Sequence, residues 1–243
     1  MVSKSQIKYI QSLDQKKYRD KEGVFLAEGP KLVREIILSK NAEVKYLFAL
    51  NEWIGQNANL LSQIVFTEVQ EAELERISHL KTPNQVLAVF KKFESKEPIP
   101  AGRITLILDA IQDPGNLGTM IRIADWFGIS QIICSHDCAD VYNPKVVQAT
   151  MGSLARVDVF YTDLPGWLKG QHGIKTYAAL LDGKDVTRMN PLKEGLIIIG
   201  NESRGIQEGL MEFVNEKITI PKKGNAESLN AAVAAGIILS HLT

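Results

Sequence analysis

Apolar and polar positions follow one pattern before residue 96 and another after residue 102. Downstream, short β-branched apolar runs alternate with segments of helical spacing, which predicts buried strands separated by helices. The predicted strands are 104–109, 131–134, 157–161, 174–180, 196–200 and 217–221, and the predicted helices are 117–127, 143–152, 163–169, 205–214 and 228–242. This alternation indicates parallel crossover connections, so we predict an α/β fold with a doubly wound parallel sheet.

The upstream part is a shorter mixture of both element types. Helices are predicted at 5–12, 30–39 and 71–80, and strands at 44–49, 64–67 and 85–90. The stretch K-E-P-I-P-A-G places two prolines, a glycine and charges between the two patterns, which is typical of a linker. We therefore predict a small α/β domain over 1–95, a linker over 96–103 and a larger domain over 104–243.

Three polar, glycine-bearing segments follow three of the predicted downstream strands. They are D-P-G-N-L-G-T-M-I-R at 113–122, I-G-N-E-S-R-G at 199–205 and I-P-K-K-G-N-A-E-S-L-N-A at 220–231. In an open α/β sheet, ligands bind in the crevice beyond the carboxyl ends of the strands. The three segments are therefore expected to form one pocket.

Single residues in these segments also have purely structural interpretations. Asn116 can cap a helix that begins near residue 117, and Arg122 can be a surface cation or can reach back towards the pocket. Ser228 can cap the last helix. Glu202 can pair with a cation or favour a following helix N-terminus, and Gly200 lets a ligand approach the backbone closely. These alternatives stay open for each residue taken alone.

Composition narrows the class of protein. The apolar fraction is 45% and the charged fraction 23%, as in a soluble globular protein, and the 28 basic residues balance the 28 acidic ones. In the first 40 residues, nine Lys or Arg stand against five acids, and charge alone favours a solvated helix face there. No apolar run is long enough for a membrane span, the first residues lack a signal-peptide core, and two cysteines form no disulfide framework. We expect a cytoplasmic location.

Several familiar site motifs are missing. The downstream half has no G-x-G-x-x-G, no G-x-x-x-x-G-K-[ST] and no G-x-S-x-G, which argues against a dinucleotide-dependent oxidoreductase, a P-loop protein and a serine hydrolase. The two cysteines and four histidines lack the spacing of a zinc site, so no metal is expected.

Taken together, the three segments resemble the signature motifs of the SpoU (TrmH) family of RNA ribose 2′-O-methyltransferases, within the SPOUT class. The first motif, N-x-G-x-x-x-R, is met by Asn116, Gly118 and Arg122. The second, G-x-E-x-x-G, and the third, I-P-x-x-G followed by S-L-N, are met by Gly200, Glu202, Gly205, Ile220, Pro221, Gly224, Ser228, Leu229 and Asn230. The resemblance covers about 104–242, and V-F-L-A-E-G-P-K-L-V-R-E at 24–35 is similar to the family's RNA substrate-binding domain.

The resemblance implies a fold, a cofactor and partners. It implies a C-terminal trefoil knot, S-adenosyl-L-methionine as cofactor, an RNA substrate and a homodimer with residues of both subunits at the cleft. By this resemblance, the residues that bind the cofactor are Leu180, Gly200, Asn201, Ile220 and Leu229. The catalytic residues are Arg122, Asn116, Glu202, Ser228 and Asn230.

The family's mechanism makes Arg122 a general base or the organiser of one. A guanidinium stays protonated in proteins, so we favour a role for Arg122 in binding a phosphate and stabilising the developing alkoxide. Asn116 would position the ribose, and Glu202 would orient Arg122 or Asn230. Ribosomal RNA is the favoured substrate. A transfer-RNA methyltransferase, or a non-catalytic RNA-binding or assembly protein with the same fold, is the alternative.

Overall fold

A computed structural model describes residues 2–39 and 41–243 of the chain. These residues form two units. The first runs to Glu94 and takes in Asp140–Arg156, and the second consists of Ser95–Ala139 and Val157–Thr243. The break after Glu94 lies beside the linker that the sequence predicts, whereas residues 140–156, which the sequence places in the downstream domain, pack with the first unit.

Strands and helices alternate along most of the chain. The helices are α1 (Lys4–Ser12), α2 (Lys16–Glu22), α3 (Pro30–Ile37), α4 (Asn51–Gln56), α5 (Glu71–Ile77), α6 (Pro114–Trp126), α7 (Pro144–Thr150), α8 (Leu164–Lys169) and α9 (Ala231–Leu242). The strands are β1 (Val24–Glu28), β2 (Val44–Ala49), β3 (Thr67–Glu68), β4 (Val86–Lys91), β5 (Ile104–Leu108), β6 (Gln131–Ser135), β7 (Asp158–Thr162), β8 (Thr176–Asp185), β9 (Gly195–Ile199) and β10 (Glu216–Thr219).

The first unit is built on a four-stranded sheet in the order β1-β4-β2-β3. Strand β4 pairs antiparallel with both β1 and β2. All five residues of β1 are buried, so this strand lacks the polar–apolar alternation of a half-exposed strand, and the sequence analysis did not predict it. The strand predicted at 64–67 is wrong: only Thr67 and Glu68 pair, with β2.

Residues 140–156 are held in the first unit by charge and by ring packing. The guanidinium of Arg19, which is buried, lies 2.5 Å from the carboxylate of Asp140 and also donates to the backbone carbonyls of Leu13 and Asp14. The ring of Tyr142 packs on Phe25, with ring centroids 5.0 Å apart. The segment is therefore part of this unit's core.

The second unit contains a six-stranded sheet in the order β10-β8-β9-β5-β6-β7, and every pairing in it is parallel. The predicted α/β fold with a parallel sheet is confirmed. Strands β5 and β9 are neighbours in the middle of the sheet, and β8 and β10 follow on one side. The segments that leave the carboxyl ends of β5, β8, β9 and β10 therefore emerge along one edge.

Several helices differ from the prediction: α2 and α4 were not predicted, and three further differences concern the segments of the predicted pocket. Helix α6 begins at Pro114 rather than at 117, and α9 begins at Ala231 rather than at 228, because the capping residues are not the ones expected. Residues 205–214 do not form an α-helix: a 3₁₀ helix spans Glu208–Phe213, after the irregular segment that follows β9.

Candidate functional site

Helix α6 is capped by an aspartate, which leaves the neighbouring asparagine available for other contacts. The carboxylate of Asp113 accepts a hydrogen bond from the backbone N–H of Asn116 at 2.8 Å, and Pro114 occupies the first helical position, where its missing N–H costs nothing. The interpretation of Asn116 as the helix cap is therefore wrong. Its side chain is half-buried and points to other partners.

The cap of helix α9 is Asn230, not Ser228. The side-chain oxygen of Asn230 accepts from the backbone N–H groups of Ala232 and Val233, at 3.0 and 3.2 Å. Ser228 lies two residues before this cap, in an exposed stretch that forms neither helix nor strand. The interpretation of Ser228 as the helix cap is wrong as well.

A chain of side-chain hydrogen bonds joins the three polar segments. The amide nitrogen Nδ2 of Asn230 donates to Oδ1 of Asn116 at 2.8 Å. The amide nitrogen Nδ2 of Asn116 in turn donates to a carboxylate oxygen of Glu202. The order Asn230–Asn116–Glu202 thus links residues that lie up to 114 positions apart in the sequence.

A cleft of about 1010 Å³ opens beside this chain of hydrogen bonds. Its walls come from the end of β8, from residues 199–205, from residues 219–229 and from one side of α9. All five residues expected to bind a cofactor line it, together with Glu202 and Ser228; the five are Leu180, Gly200, Asn201, Ile220 and Leu229. The structure thus brings the second and third segments together around one cavity, whereas the first segment, which the sequence also predicts there, does not line it.

The second segment is a closed loop that only glycine can start. A Cβ on Gly200 would lie 2.4 Å from the backbone of Gly205, far inside van der Waals contact. Asn201 and Gly205 exchange two backbone hydrogen bonds, of 3.0 and 2.9 Å. The side chain of Asn201 accepts from the N–H groups of Ser203 and Arg204 and donates to the carbonyl of Ala110 at 2.9 Å. Asn201 therefore shapes the loop as well as lining the cleft.

The third segment supplies irregular backbone and apolar side chains. Residues 220–230 form no helix or strand, so their peptide groups can serve as donors and acceptors at the cleft wall. Leu180, Ile199 and Ile238 add an apolar lining. Charged residues also line the cleft, namely Asp182, Glu202, Arg204, Lys222, Lys223 and Glu227. A cavity that combines apolar walls, backbone hydrogen-bonding groups and charges of both signs fits a nucleoside that carries a charged amino-acid chain.

Arg122 does not join this network. Its side chain is exposed on α6, it does not line the cleft, and no described residue forms an ion pair or hydrogen bond with its guanidinium. Glu202 contacts Asn116 instead. Gly118, the other member of the first motif, is buried in α6. Within one copy of the chain, no residue of the first motif lines the cleft, and Asn116 is connected to it through the hydrogen bond to Glu202.

The two cysteines are buried free thiols behind the first segment. Burial raises the pKa of Cys134, and the sulfur of Cys138 accepts a hydrogen bond from the backbone N–H of Ile111 at 3.2 Å. Among the described residues, no group of three or more His, Cys, Asp or Glu side chains could hold a metal ion. In the same part of the chain, no helix is long and apolar enough to cross a membrane.

Comparison with known families decides the relationship. The model of the SpoU rRNA Methylase family matches residues 103–240, more than half of the chain. The chain belongs to this family. A second family model, the MRM3-like substrate binding domain, matches residues 4–88. The two matched regions are separated by residues 89–102, which include most of the predicted linker.

Similar proteins cover nearly the whole chain. The 23S rRNA (guanosine(2553)-2′-O)-methyltransferase RlmP of Bacillus subtilis is 35% identical, over 97% of this chain and 95% of its own. The AdoMet-bound rRNA methyltransferase of Sinorhizobium meliloti has a structure with a TM-score of 0.86 and 30% identity, covering 99% of this chain and 95% of that one. A TrmH-family protein of Porphyromonas gingivalis gives a TM-score of 0.85 and 37% identity, covering 99% and 98%.

The SpoU family match contains all three signature segments. Sequence reasoning therefore found the family and seven of the residues that line the cleft, whereas Asn116, Arg122 and Asn230, which it also named for the site, do not line it. It did not find Asp109 and Gln207, whose hydrogen bonds hold the end of the loop that the second segment forms. The only sequence signal for Asp109 is an acidic residue directly after the buried run Ile104–Leu108.

Proposed function

We propose that the protein transfers a methyl group from S-adenosyl-L-methionine to a ribose 2′-hydroxyl of ribosomal RNA. The observation that carries this proposal is the hydrogen-bonded order Asn230–Asn116–Glu202 at the rim of a cleft walled by Gly200, Asn201, Ile220 and Leu229. The activity printed in the name of the B. subtilis relative, and the AdoMet-bound structure from S. meliloti, support the substrate and the cofactor.

The cleft fits the cofactor by the chemistry of its walls. Leu180, Ile220 and Leu229 would enclose the adenine ring, and the backbone of residues 220–229 would hydrogen-bond its edge. The bound cofactor supplies an electrophilic methyl group on a sulfonium. The protein's residues then need to align the acceptor oxygen with that methyl group, which by itself lowers a barrier by several kcal/mol.

The three linked side chains would position the acceptor. Asn116, held on both sides, presents a fixed amide at the cleft rim, and the Glu202 carboxylate can accept a hydrogen bond from a ribose hydroxyl. Ser228, also at the cleft, offers a further hydroxyl. Arg122 would bind the adjacent phosphate and stabilise negative charge on the 2′-oxygen, because a guanidinium is a permanent cation in proteins. The hydroxyl proton would pass to water at the open cleft, and the demethylated cofactor, S-adenosyl-L-homocysteine, would leave.

The exposed position of Arg122 supports a homodimer in which it serves the cleft of the second copy. Trp126 on α6 is 84% exposed and Val233 on α9 is 51% exposed, although both are apolar. The two helices pack on each other, with Gly236 against Ile123. An apolar surface of this kind on a soluble domain is typical of a subunit contact.

The proposal includes the family's trefoil knot and an RNA-binding role for residues 1–95. After β10, at the edge of the sheet, the chain returns past β8 and β9 so that α9 packs on α6, and this return path supports a knot. The match of residues 4–88 to a substrate binding domain supports the RNA-binding role. Phosphate contacts by its basic residues predict affinity that falls as salt rises.

A methyl-transfer assay tests the proposal. The purified protein and radiolabelled S-adenosyl-L-methionine are mixed with ribosomal RNA, transfer RNA or single-stranded DNA from cells lacking the protein. We expect label in ribosomal RNA as a 2′-O-methyl nucleotide and none in DNA, which has no 2′-hydroxyl. Label in transfer RNA alone would contradict the ribosomal substrate, and absence of both cofactor binding and label would refute the enzyme.

Mixed dimers test the role of Arg122 in the second subunit. Arg122→Ala and Asn116→Ala should each be nearly inactive alone. If Arg122 of one copy serves the cleft of the other, co-expressed mixed dimers contain one intact cleft, and they should regain a quarter to a half of the wild-type rate. Mixed dimers that stay inactive would show that Arg122 acts within its own subunit.

A further inference from the structure

Asp109 is a fully buried carboxylate that the proposed reaction does not use directly. It follows β5, its relative exposure is 0%, and its backbone N–H donates to the carbonyl of Ile199 at 2.9 Å. Its carboxylate accepts from the backbone N–H of Gln207 at 2.7 Å and from the side-chain amide of the same residue at 2.5 Å. A buried carboxylate is costly unless it is well hydrogen-bonded, so two bonds to a single residue indicate a specific structural task.

Both hydrogen bonds attach Asp109 to Gln207, the last residue of the loop over residues 200–207 that lines the cleft. Residues 200–207 leave β9 at Gly200, present Glu202 to Asn116, and reach Gln207 just before the 3₁₀ helix. The start of the loop is held by the pairing of β9 with β5. Asp109 holds its end to the same strand, so β5 supports the loop at both ends.

The residue after Asp109 adds a third attachment. Ala110 adopts a left-handed backbone conformation, with φ of 55°, which is unfavourable for any residue with a side chain. Its carbonyl accepts from the side chain of Asn201, and its N–H donates to the hydroxyl of Ser135 at 2.9 Å. Such strain persists only where the surroundings over-determine the backbone. The turn at 109–110 is therefore a fixed platform for the loop.

We propose that Asp109 is a positioning residue for methyl transfer: through Gln207 it holds the loop that lines the cofactor cleft and carries Glu202. This inference rests on the proposed function, because it is the cleft of that function which the loop shapes. Asp109 acts by accepting and orienting hydrogen bonds, not by its charge and not by touching the substrate.

Three variants separate positioning from a charge effect. Asp109→Ala removes both bonds, and we expect cofactor binding to weaken about tenfold or more, the size expected from losing hydrogen bonds to a charged group. Gln207→Ala, on an exposed side chain, removes one bond and should weaken binding about threefold. Asp109→Asn should stay within about threefold of wild type, because an amide can accept from the backbone N–H and donate to the rotated side chain of Gln207. Asp158→Asn, an exposed carboxylate at the opposite end of the sheet, is the control.

The measurements are the calorimetric Kd for S-adenosyl-L-methionine, the single-turnover rate at saturating cofactor and RNA, and hydrogen exchange of the backbone amides of residues 201–207. We expect Asp109→Ala and Gln207→Ala to raise exchange in this loop while the amides of β5 and β9 stay protected. The inference is overturned if Asp109→Asn is as impaired as Asp109→Ala, if exchange rises equally throughout the sheet, or if Gln207→Ala changes neither the loop nor the Kd. A wild-type protein that fails to bind the cofactor would refute the proposed function. Hydrogen exchange does not require activity, so it would still test whether Asp109 holds the loop.

Discussion

Asn116→Ala should reduce methyl transfer strongly and change folding stability little. The substitution removes the hydrogen bond accepted from Asn230 at 2.8 Å and the one donated to Glu202. A neutral hydrogen bond contributes about 1 kcal/mol and one to a charged group about 1.5–3 kcal/mol, and Glu202 is exposed, which favours the low end. Both hydrogen bonds are exposed, so water can replace them in the folded variant and the free energy of unfolding should change little. The cost of about 2–3 kcal/mol falls on the alignment of the acceptor during methyl transfer, and it corresponds to a rate decrease of roughly 30- to 150-fold.

The free energy of unfolding should change little in Asn116→Ala because Asn116 does not cap α6. The cap of α6 is Asp113, and this provides a matched control three residues away. Asp113→Ala should lower the free energy of unfolding by about 1 kcal/mol, the usual value of an N-cap, with a much smaller effect on the chemical step. The two neighbouring variants should therefore show opposite profiles.

Single-turnover methyl transfer at saturating cofactor and RNA measures the first effect, and urea unfolding measures the second. A rate for Asn116→Ala within threefold of wild type would refute the role of the linked side chains in positioning the acceptor. Equal losses of stability in both variants would show that Asn116 contributes to the helix N-terminus after all.

Three further predictions concern caps, a buried ion pair and a strained turn. Asn230→Ala should lower the free energy of unfolding by about 1 kcal/mol and should also lower the methyl-transfer rate, because Asn230 caps α9. Ser228→Ala should leave the free energy of unfolding unchanged in urea. A loss of stability in Ser228→Ala would contradict the observed cap. Arg19→Met should lower the free energy of unfolding by about 3–5 kcal/mol, because it leaves the carboxylate of Asp140 without its ion-pair partner. Adding Asp140→Leu should recover part of this loss. Fully additive effects of the two substitutions would argue against the ion pair. Gln85→Gly should raise the melting temperature, because Gln85 has a φ of 55° and glycine adopts that conformation without strain; a lower melting temperature would contradict this.

The parallel sheet and the cleft could be predicted from local pattern. Runs such as Ile104–Leu108 and Gly195–Ile199 are almost wholly apolar and are buried at every position, which is typical of strands covered on both faces. Their loops carry the chemistry because the carboxyl ends of parallel strands meet at one edge. Pattern and position were thus enough to bring Gly200, Ile220 and Leu229 to one cavity.

What could not be predicted depends on contacts between distant residues. The assignment of residues 140–156 to the first unit depends on the buried pair of Arg19 and Asp140, which are 121 residues apart. No local pattern marks such a pair. The same holds for Asp109, whose only side-chain partner among the described residues, Gln207, is 98 residues away. Cap identity failed for a subtler reason, because Asp113 and Asn116, or Ser228 and Asn230, are all good capping residues by type.

The identity of the two caps determines which atoms of the linked side chains donate hydrogen bonds and which accept them. The side-chain oxygen of Asn230 is occupied by the N–H groups that begin α9, so its amide nitrogen is the group that faces Asn116. Asn116 must then accept with its oxygen, which directs its own nitrogen to a carboxylate oxygen of Glu202. Asp113 makes this arrangement available by capping α6 in place of Asn116. The start of the last helix thereby orients a carboxylate beside the cleft, so a change at the cap of α9 should also displace Glu202.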